Sequence, residues 1–289
     1  MHKVLVIVVV YNGMAWLERC LGSALKAGGD LFVVDNDSTD GSADWIAGHF
    51  PQAHLVRSAE NLGFAKANNL GMEYALKHGY SYVYLLNQDA WIPEDALEVM
   101  TSVAVRHPGV AIFSPMQMKA DMSGYDPRFE KNVMRHVTSR DDAVSIVPYV
   151  MAAHWLLPRR TLETVGGFAP IFPIYGEDEN YCDRARRFKM RVAIVPSVKA
   201  VHDRAEREEG LDKRIHRDYY MGSLRRLCNV NVKLWFSVLY VLLFTAVKSV
   251  KYKSFVPWKK FAALMKLLPE IRDVRATSSQ RYAFFSTPR

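Results

Sequence analysis

Cysteine is scarce. The 289-residue chain holds three, Cys20, Cys182 and Cys228, and no two share a paired spacing. That excludes a disulfide framework and a thiolate zinc site, and a reducing compartment is the simpler reading. Internal repeats and low-complexity tracts are missing as well. Long apolar runs are few: the longest, LWFSVLYVLLFTAV at 234–247, falls short of the roughly 20 residues that a membrane span requires. The apolar stretch after Lys3 has no small-residue cleavage site, so residues 3–11 read as a buried strand and not as a leader. What remains is 49% hydrophobic and 24% charged, which excludes a disordered or fibrous chain and suffices for one large core with an appendage.

Charge of one sign is unevenly placed. From Arg204 to the end there are 18 Lys and Arg against 7 Asp and Glu, a net of +11, so the remainder up to Asp203 is slightly acidic and the overall +8 belongs to the tail. A basic tail suits nucleic acid or an anionic membrane. Here Lys233, Lys248, Lys251 and Lys253 flank the apolar run at 234–247, a combination that favours the membrane surface and speaks against nucleic acid. The reading is an interfacial or re-entrant helix, with Trp235, Tyr240 and Trp258 at headgroup level, against the alternatives of a helix buried on the domain or a span.

Through the first half, apolar runs alternate with amphipathic segments. Strands are expected at 3–11, 31–35, 53–57, 82–86 and 110–114, and helices at 15–27, 42–49, 64–78 and 93–107. This alternation implies an α/β fold, a mostly parallel sheet with helices on both faces. Pro93, Glu94 and Asp95 suit the first turn of a helix. Residues 119–145 turn polar and read as a long loop or flap. Beyond it the pattern implies a helix at 158–165, a GGF turn at 166–168, a helix from Glu177, and short strands at 191–195 and 199–202. Composition shifts near Leu211, which divides the chain into an α/β domain, 1–211, and a helical, membrane-associating region, 212–289.

Four motifs stand at strand ends, where open α/β sheets bind ligands. VVVYNG (8–13) closes the first strand. VVDNDSTDGS (33–42) closes the second with Asp35, Asn36 and Asp37, where a carboxylate can accept from a base N–H or a ribose hydroxyl, or simply cap the next helix. NLGFAKANN (61–69) combines a glycine with a helix start that suits phosphate, and LLNQDA (85–90) ends the fourth strand on Asp89. YGEDEN (175–180) sets Glu177 and Asp178 at a helix start, where they can serve as a base or merely complement the helix dipole. Arg184 further along can tether that helix or approach phosphate.

In this order the motifs resemble those of the family 2 glycosyltransferases over residues 4–203, and most closely the bacterial branch that adds rhamnose, galactose or similar sugars to surface polysaccharides. The resemblance implies the GT-A fold and an inverting transfer from a UDP- or dTDP-sugar to a glycan or lipid-linked acceptor at the cytoplasmic face of the membrane. It assigns Tyr11, Asn12, Asp35, Asn36, Asn61, Gly63, Asn68 and Asn87 to donor binding. Asp89 and His202 become ligands of a divalent cation, Mg2+ or Mn2+, although Asn87 stands where the family's metal motif has its first acid. Asp178 becomes the base that deprotonates the acceptor, with Glu177 in support, and the GGF loop holds the acceptor. A catalytically lapsed sugar-nucleotide or glycan-binding module is the rival that Asn87 leaves open. A nucleotidyltransferase fits less well, because VVVYNGMAW lacks the basic phosphate loop.

Overall fold

Seven consecutive apolar residues make β1 (Val4–Val10), buried on both faces, and a strand of that kind belongs at the centre of a parallel sheet. The computed structural model describes residues 3–204 and 215–286. In it β1 lies between β2 (Asp30–Asp35) and β4 (Tyr82–Asn87), and β3 (His54–Arg57) continues the parallel edge. The crossovers are α1 (Leu17–Lys26), α2 (Ser42–His49) and α3 (Gly63–Lys77). Beyond β4 the sheet becomes mixed. β9 (His154–Pro158) runs antiparallel between β4 and β6 (Val110–Met118), and β6 pairs in parallel with the long β10 (Arg191–His202). The far edge is built antiparallel from β8 (Ser145–Val147) and β7 (Ser139–Arg140), and β5 (Ala90–Trp91) pairs with the end of β10.

Alternation along β1 sends Leu5 and Ile7 into one apolar layer, with Phe32, Trp155, Phe168 and Tyr181. Val6 and Val8 enter the other, with Leu17, Leu21, Leu86 and Leu97. This two-sided core fixes the sheet and leaves the carboxyl ends of β1, β2 and β4 open on one edge.

Three expectations are corrected. The helix expected at 93–107 starts later, as α4 (Ala96–Arg106); the Pro93 carbonyl accepts the Ala96 N–H at 3.1 Å, so Pro93 to Asp95 form the turn before it. The two strands expected at 191–195 and 199–202 are one strand, β10, with a register shift between Val195 and Lys199 where Pro196 cannot donate. The polar stretch at 119–145 is not a featureless loop. It holds β7 and the short helix α5 (Pro127–Asn132), and the Asp126 carboxylate accepts the Arg128 and Phe129 amides at 2.8 Å each. Proline at the first helical position and burial of Phe129 and Val133 complete that stop on the core.

After β9, α6 (Arg159–Val165) leads through the GGF turn towards α7 (Glu177–Arg187). The glycines of that turn admit another part of the chain: a Cβ on Gly166 would lie 2.1 Å from the Ala283 carbonyl oxygen, and one on Gly167 2.7 Å from the Phe285 ring. The Gly167 amide donates to that same carbonyl at 2.8 Å. The region boundary placed at Leu211 lies outside the described residues. Past it, α8 (Gly222–Cys228), α9 (Leu234–Tyr252), α10 (Val256–Lys266) and α11 (Leu268–Thr277) form a third apolar cluster that includes Ala169 and Phe172 from the segment between α6 and α7.

Candidate active site

The carboxyl ends of β1, β2 and β4 surround a cavity of about 630 Å³. Its lining includes Tyr11, Asn36, Asn61, Gly63, Asn87, Asp89 and His202, all expected from the sequence, together with Trp16, Phe64, Gln88, Arg128 and Arg204. Local hydrogen bonds set its walls. The Asn36 side chain donates to Asn61 Oδ1 at 3.0 Å and accepts the Leu62 N–H at 2.8 Å, which locks the end of β2 to the start of α3. Gln88 accepts the Tyr11 N–H at 2.8 Å and returns a bond to the Tyr11 carbonyl at 3.2 Å, which ties the loops after β1 and β4 together. Gly63 is required here for a steric reason: at φ +72°, a Cβ would stand 2.7 Å from the Pro173 carbonyl oxygen.

Three expected donor residues are not among those that line the cavity. The Asn12 side chain accepts from the Thr39 amide at 2.9 Å, and its own backbone N–H donates to the Ser38 hydroxyl oxygen at 3.0 Å, tying two loops together. Asp35 is buried; one carboxylate oxygen accepts the Ser38 amide at 3.3 Å and the other has no partner. Asn68 donates to the Phe64 carbonyl at 2.9 Å within α3 and is buried. All three hold the shape of the cavity without lining it.

Asp89 and His202 face one another across the cavity, Oδ1 to Nε2 3.5 Å, and the far nitrogen of His202 lies 3.6 Å from Asp126 Oδ2. Burial alone would push Asp89 upward, but His202 and the charge of Arg204 outweigh it and hold the carboxyl below its ordinary value. An ionised carboxylate beside an imidazole is a donor set that fits a divalent cation. Among the described residues no three His, Cys, Asp or Glu side chains converge on one point, so such an ion would need further oxygens from a bound ligand and water. Arg204 sits with its Nε 3.4 Å from Asp126, and Arg128 reaches the cavity from the first turn of α5. A loop reading of 119–145 gives Arg128 no fixed place, and the Asp126-Pro127 cap is the signal that points to it; Arg204 lies beyond the end of β10 and reaches the cavity only through the fold.

The wall at Pro173, Ile174 and Tyr175 leads directly into α7. Tyr175 adopts φ +68°, a left-handed conformation that a bulky residue seldom takes and that the surrounding packing must hold. Glu177 and Asp178 follow, beyond the cavity lining. The Tyr149 hydroxyl donates to Asp178 Oδ2 at 2.8 Å, and the Glu179 amide donates to Oδ1 at 2.7 Å. Burial raises Asp178 above the ordinary carboxylate range despite these bonds, and burial beside Asp178 pushes Glu177 up to about 8. One Glu177 oxygen and both amide atoms of Asn180, a turn further on, are buried without partners, so this face of α7 has hydrogen-bonding capacity to spare. Arg184 proves to be a tether: fully buried, it donates to the Val165 and Gly167 carbonyls and packs against the Phe284 ring, and burial lowers it to about 10.

A family model described as Glycosyl transferase family 2 matches residues 5–166. The dTDP-rhamnosyl transferase RfbF of Shigella flexneri is 25% identical over 225 residues, 74% of this chain and 75% of that protein. The N-acetylglucosaminyl-diphospho-decaprenol L-rhamnosyltransferase of Mycobacterium tuberculosis is 25% identical over 233 residues, 69% and 76% of the two chains. Among solved structures, that of GalNAc-T7 with UDP, GalNAc and Mn2+ superposes with a TM-score of 0.61 at 14% identity, covering 100% of this chain and 59% of the other.

Proposed function

This chain belongs to glycosyl transferase family 2 and has the GT-A fold, and from that premise we propose that it is an inverting transferase of surface-glycan synthesis, moving a hexose from a dTDP- or UDP-sugar to a glycan or lipid-linked acceptor. The observation that carries this reading is the alignment of the strand-end cavity with the carboxylates that follow its Pro173 to Tyr175 wall. Asn36, Asn61 and Tyr11 would receive the nucleoside, and Arg128 and Arg204 the diphosphate. Asp89 and His202 would hold a divalent cation, which when bound neutralises charge on the departing diphosphate.

Asp178 is the group suited to take the acceptor proton. As the acceptor oxygen forms its bond to the anomeric carbon on the face opposite the diphosphate, the bond to the diphosphate oxygen breaks and the proton passes to the carboxylate. Its hydrogen bonds, from Tyr149 and from the backbone at Glu179 and Ala152, aim the group while burial brings its affinity for a proton nearer to neutrality. Both rhamnosyltransferase relatives favour a deoxyhexose donor, and the name of the mycobacterial enzyme supports a polyprenyl-diphosphate-linked acceptor.

The helix α9 supports a place on the inner face of the membrane. Among the described residues it is the one helix long and apolar enough to cross a bilayer, yet it buries only Ser237, Val241 and Thr245 and turns Trp235, Leu239, Leu243, Val247 and Val250 outward. An apolar face next to Lys233, Lys248 and Lys251 suits an anionic lipid surface.

The test is calorimetric binding of a panel of dTDP- and UDP-sugars with and without manganese, on the wild type and Asp89→Ala. Manganese-dependent binding of one donor that Asp89→Ala removes is the expected result. Binding of no donor would sink the transferase reading of this site.

A further inference from the structure

The first turns of α7 are crowded with negative charge: Glu177, Asp178, Glu179 and Asp183 occupy four of its first seven positions. The groups facing Asp178 are Tyr149, from the segment between β8 and β9, Glu177 and Glu179 beside it, and Cys182 one turn on. None of them is a cation. The compensating charge arrives from the C-terminal helices. Arg225 of α8 places Nε 3.0 Å from Asp183 Oδ2 and Nη2 3.2 Å from Oδ1, a two-pronged pair, and sets Nη1 3.4 Å from Glu179. The Asp183 carboxylate is 1% exposed, so this pair is screened little by water. Arg186 on α7 itself closes the other side of Asp183. Next in the chain, the Asn231 amide donates to the Asp183 backbone carbonyl at 2.7 Å. The turn that carries Asn231 is held in turn by Arg275 of α11, which donates to the carbonyls of Leu227, Asn229 and Val232.

We propose that Arg225 is a positioning residue for the reaction: it fixes the register of α7 against the C-terminal helices and shields Asp178 from the charges of Glu179 and Asp183. The proposal rests on the reading of Asp178 as the base. Its consequence is that the C-terminal region is part of the catalytic apparatus and does more than attach the enzyme to a surface. Loss of Arg225 leaves Glu179 and Asp183 with Arg186 alone as a cationic neighbour, so more of their negative charge acts on Asp178 and its proton becomes harder to release.

The experiment is a carbon-13 NMR titration of aspartate carboxyls in the full-length protein, with Asp178→Asn identifying the Asp178 resonance. In Arg225→Met the Asp178 midpoint should rise by about half a pH unit or more, the scale on which a nearby charge acts. Arg225→Lys, which keeps the charge, should restore most of it. Alongside, hydrolysis of dTDP-rhamnose against pH should show the acidic limb of kcat moving in the same direction while KM stays constant. A midpoint that does not move overturns the role of Arg225. A midpoint that moves without the kinetic limb overturns Asp178 as the base instead. Should Arg225→Met fail to fold, Glu179→Gln reads the same coupling from the other side: the midpoint should fall, and an unchanged value overturns the proposal.

Discussion

Two helices of this protein reverse the usual sorting of residues in opposite ways. α7, EDENYCDRARR, is among the most polar segments in the chain, yet Glu177, Asn180, Asp183 and Arg184 are buried in it. α9 is the most apolar helix, yet Leu243 is 62% exposed and Val250 79%, while Ser237 and Thr245 take the inward positions. A buried charge survives only when partners compensate it, and α7 has them in Tyr149, Arg225 and the carbonyls that receive Arg184. An exposed apolar face of this extent needs a medium other than water. The first helix carries the proposed base and the second the proposed membrane contact, and Arg225 and Asn231 join α7 to the C-terminal helices.

Substitutions separate the two helices most sharply at Asp178. Asp178→Asn should lower sugar transfer by about 10³-fold, as for loss of a general base, while calorimetry finds donor affinity within about twofold of wild type. Loss of donor binding together with turnover would reduce α7 to a structural element. Arg184→Met comes next: it strands the Val165 and Gly167 carbonyls and should cost about 4 kcal/mol in urea unfolding, and a loss under about 1 kcal/mol would refute the tether.

Glu177 sharpens the contrast through pH. Burial, with the charge of Asp178 beside it, pushes its carboxyl up from the ordinary 4.5 to about 8 in the folded chain. Between those values the folded chain keeps a proton that the unfolded chain has released, so the stabilising contribution present below pH 4.5 is lost as pH rises towards 8. Glu177→Gln should therefore be more stable than wild type at pH 8 and equal to it near pH 4, measured by chemical unfolding at both values. If the two proteins differ by the same amount at both pH values, the carboxyl is not titrating in the fold. The smallest effect belongs to α9. Leu243→Glu should weaken binding to anionic vesicles about 10-fold, the worth of one buried leucine, and leave unfolding free energy within about 0.5 kcal/mol. A large loss of stability would instead place Leu243 in a protein interface.

Much of this was legible in the chain. The apolar run of β1, the boundaries of α2 and the strand-end placement of Asn36, Asn61 and Asp89 follow from local patterning, because sheet position and loop chemistry are written within a few residues of each motif. The same local reading missed α5, since a six-residue helix has too few turns to display a period. Nor does a motif show that the side chains of Asn12 and Asn68 bond to neighbouring backbone, since both bonds depend on the fold around them. Gln88 could not be assigned from its motif, because its partner, Tyr11, is 77 residues away.

By itself the sequence determined the alternating α/β plan, the strand-end acids and amides, the acidic start of α7 and the basic apolar tail, each a property of near neighbours. Tertiary structure alone decided which of those groups converge. It put Arg204 and Arg128 beside Asp89, closed the GGF turn with Ala283 and Phe285, and brought Arg225 across 42 residues onto Asp183. Contacts of that range depend on how the layers pack, and packing is a property of the whole core that no single stretch of chain contains.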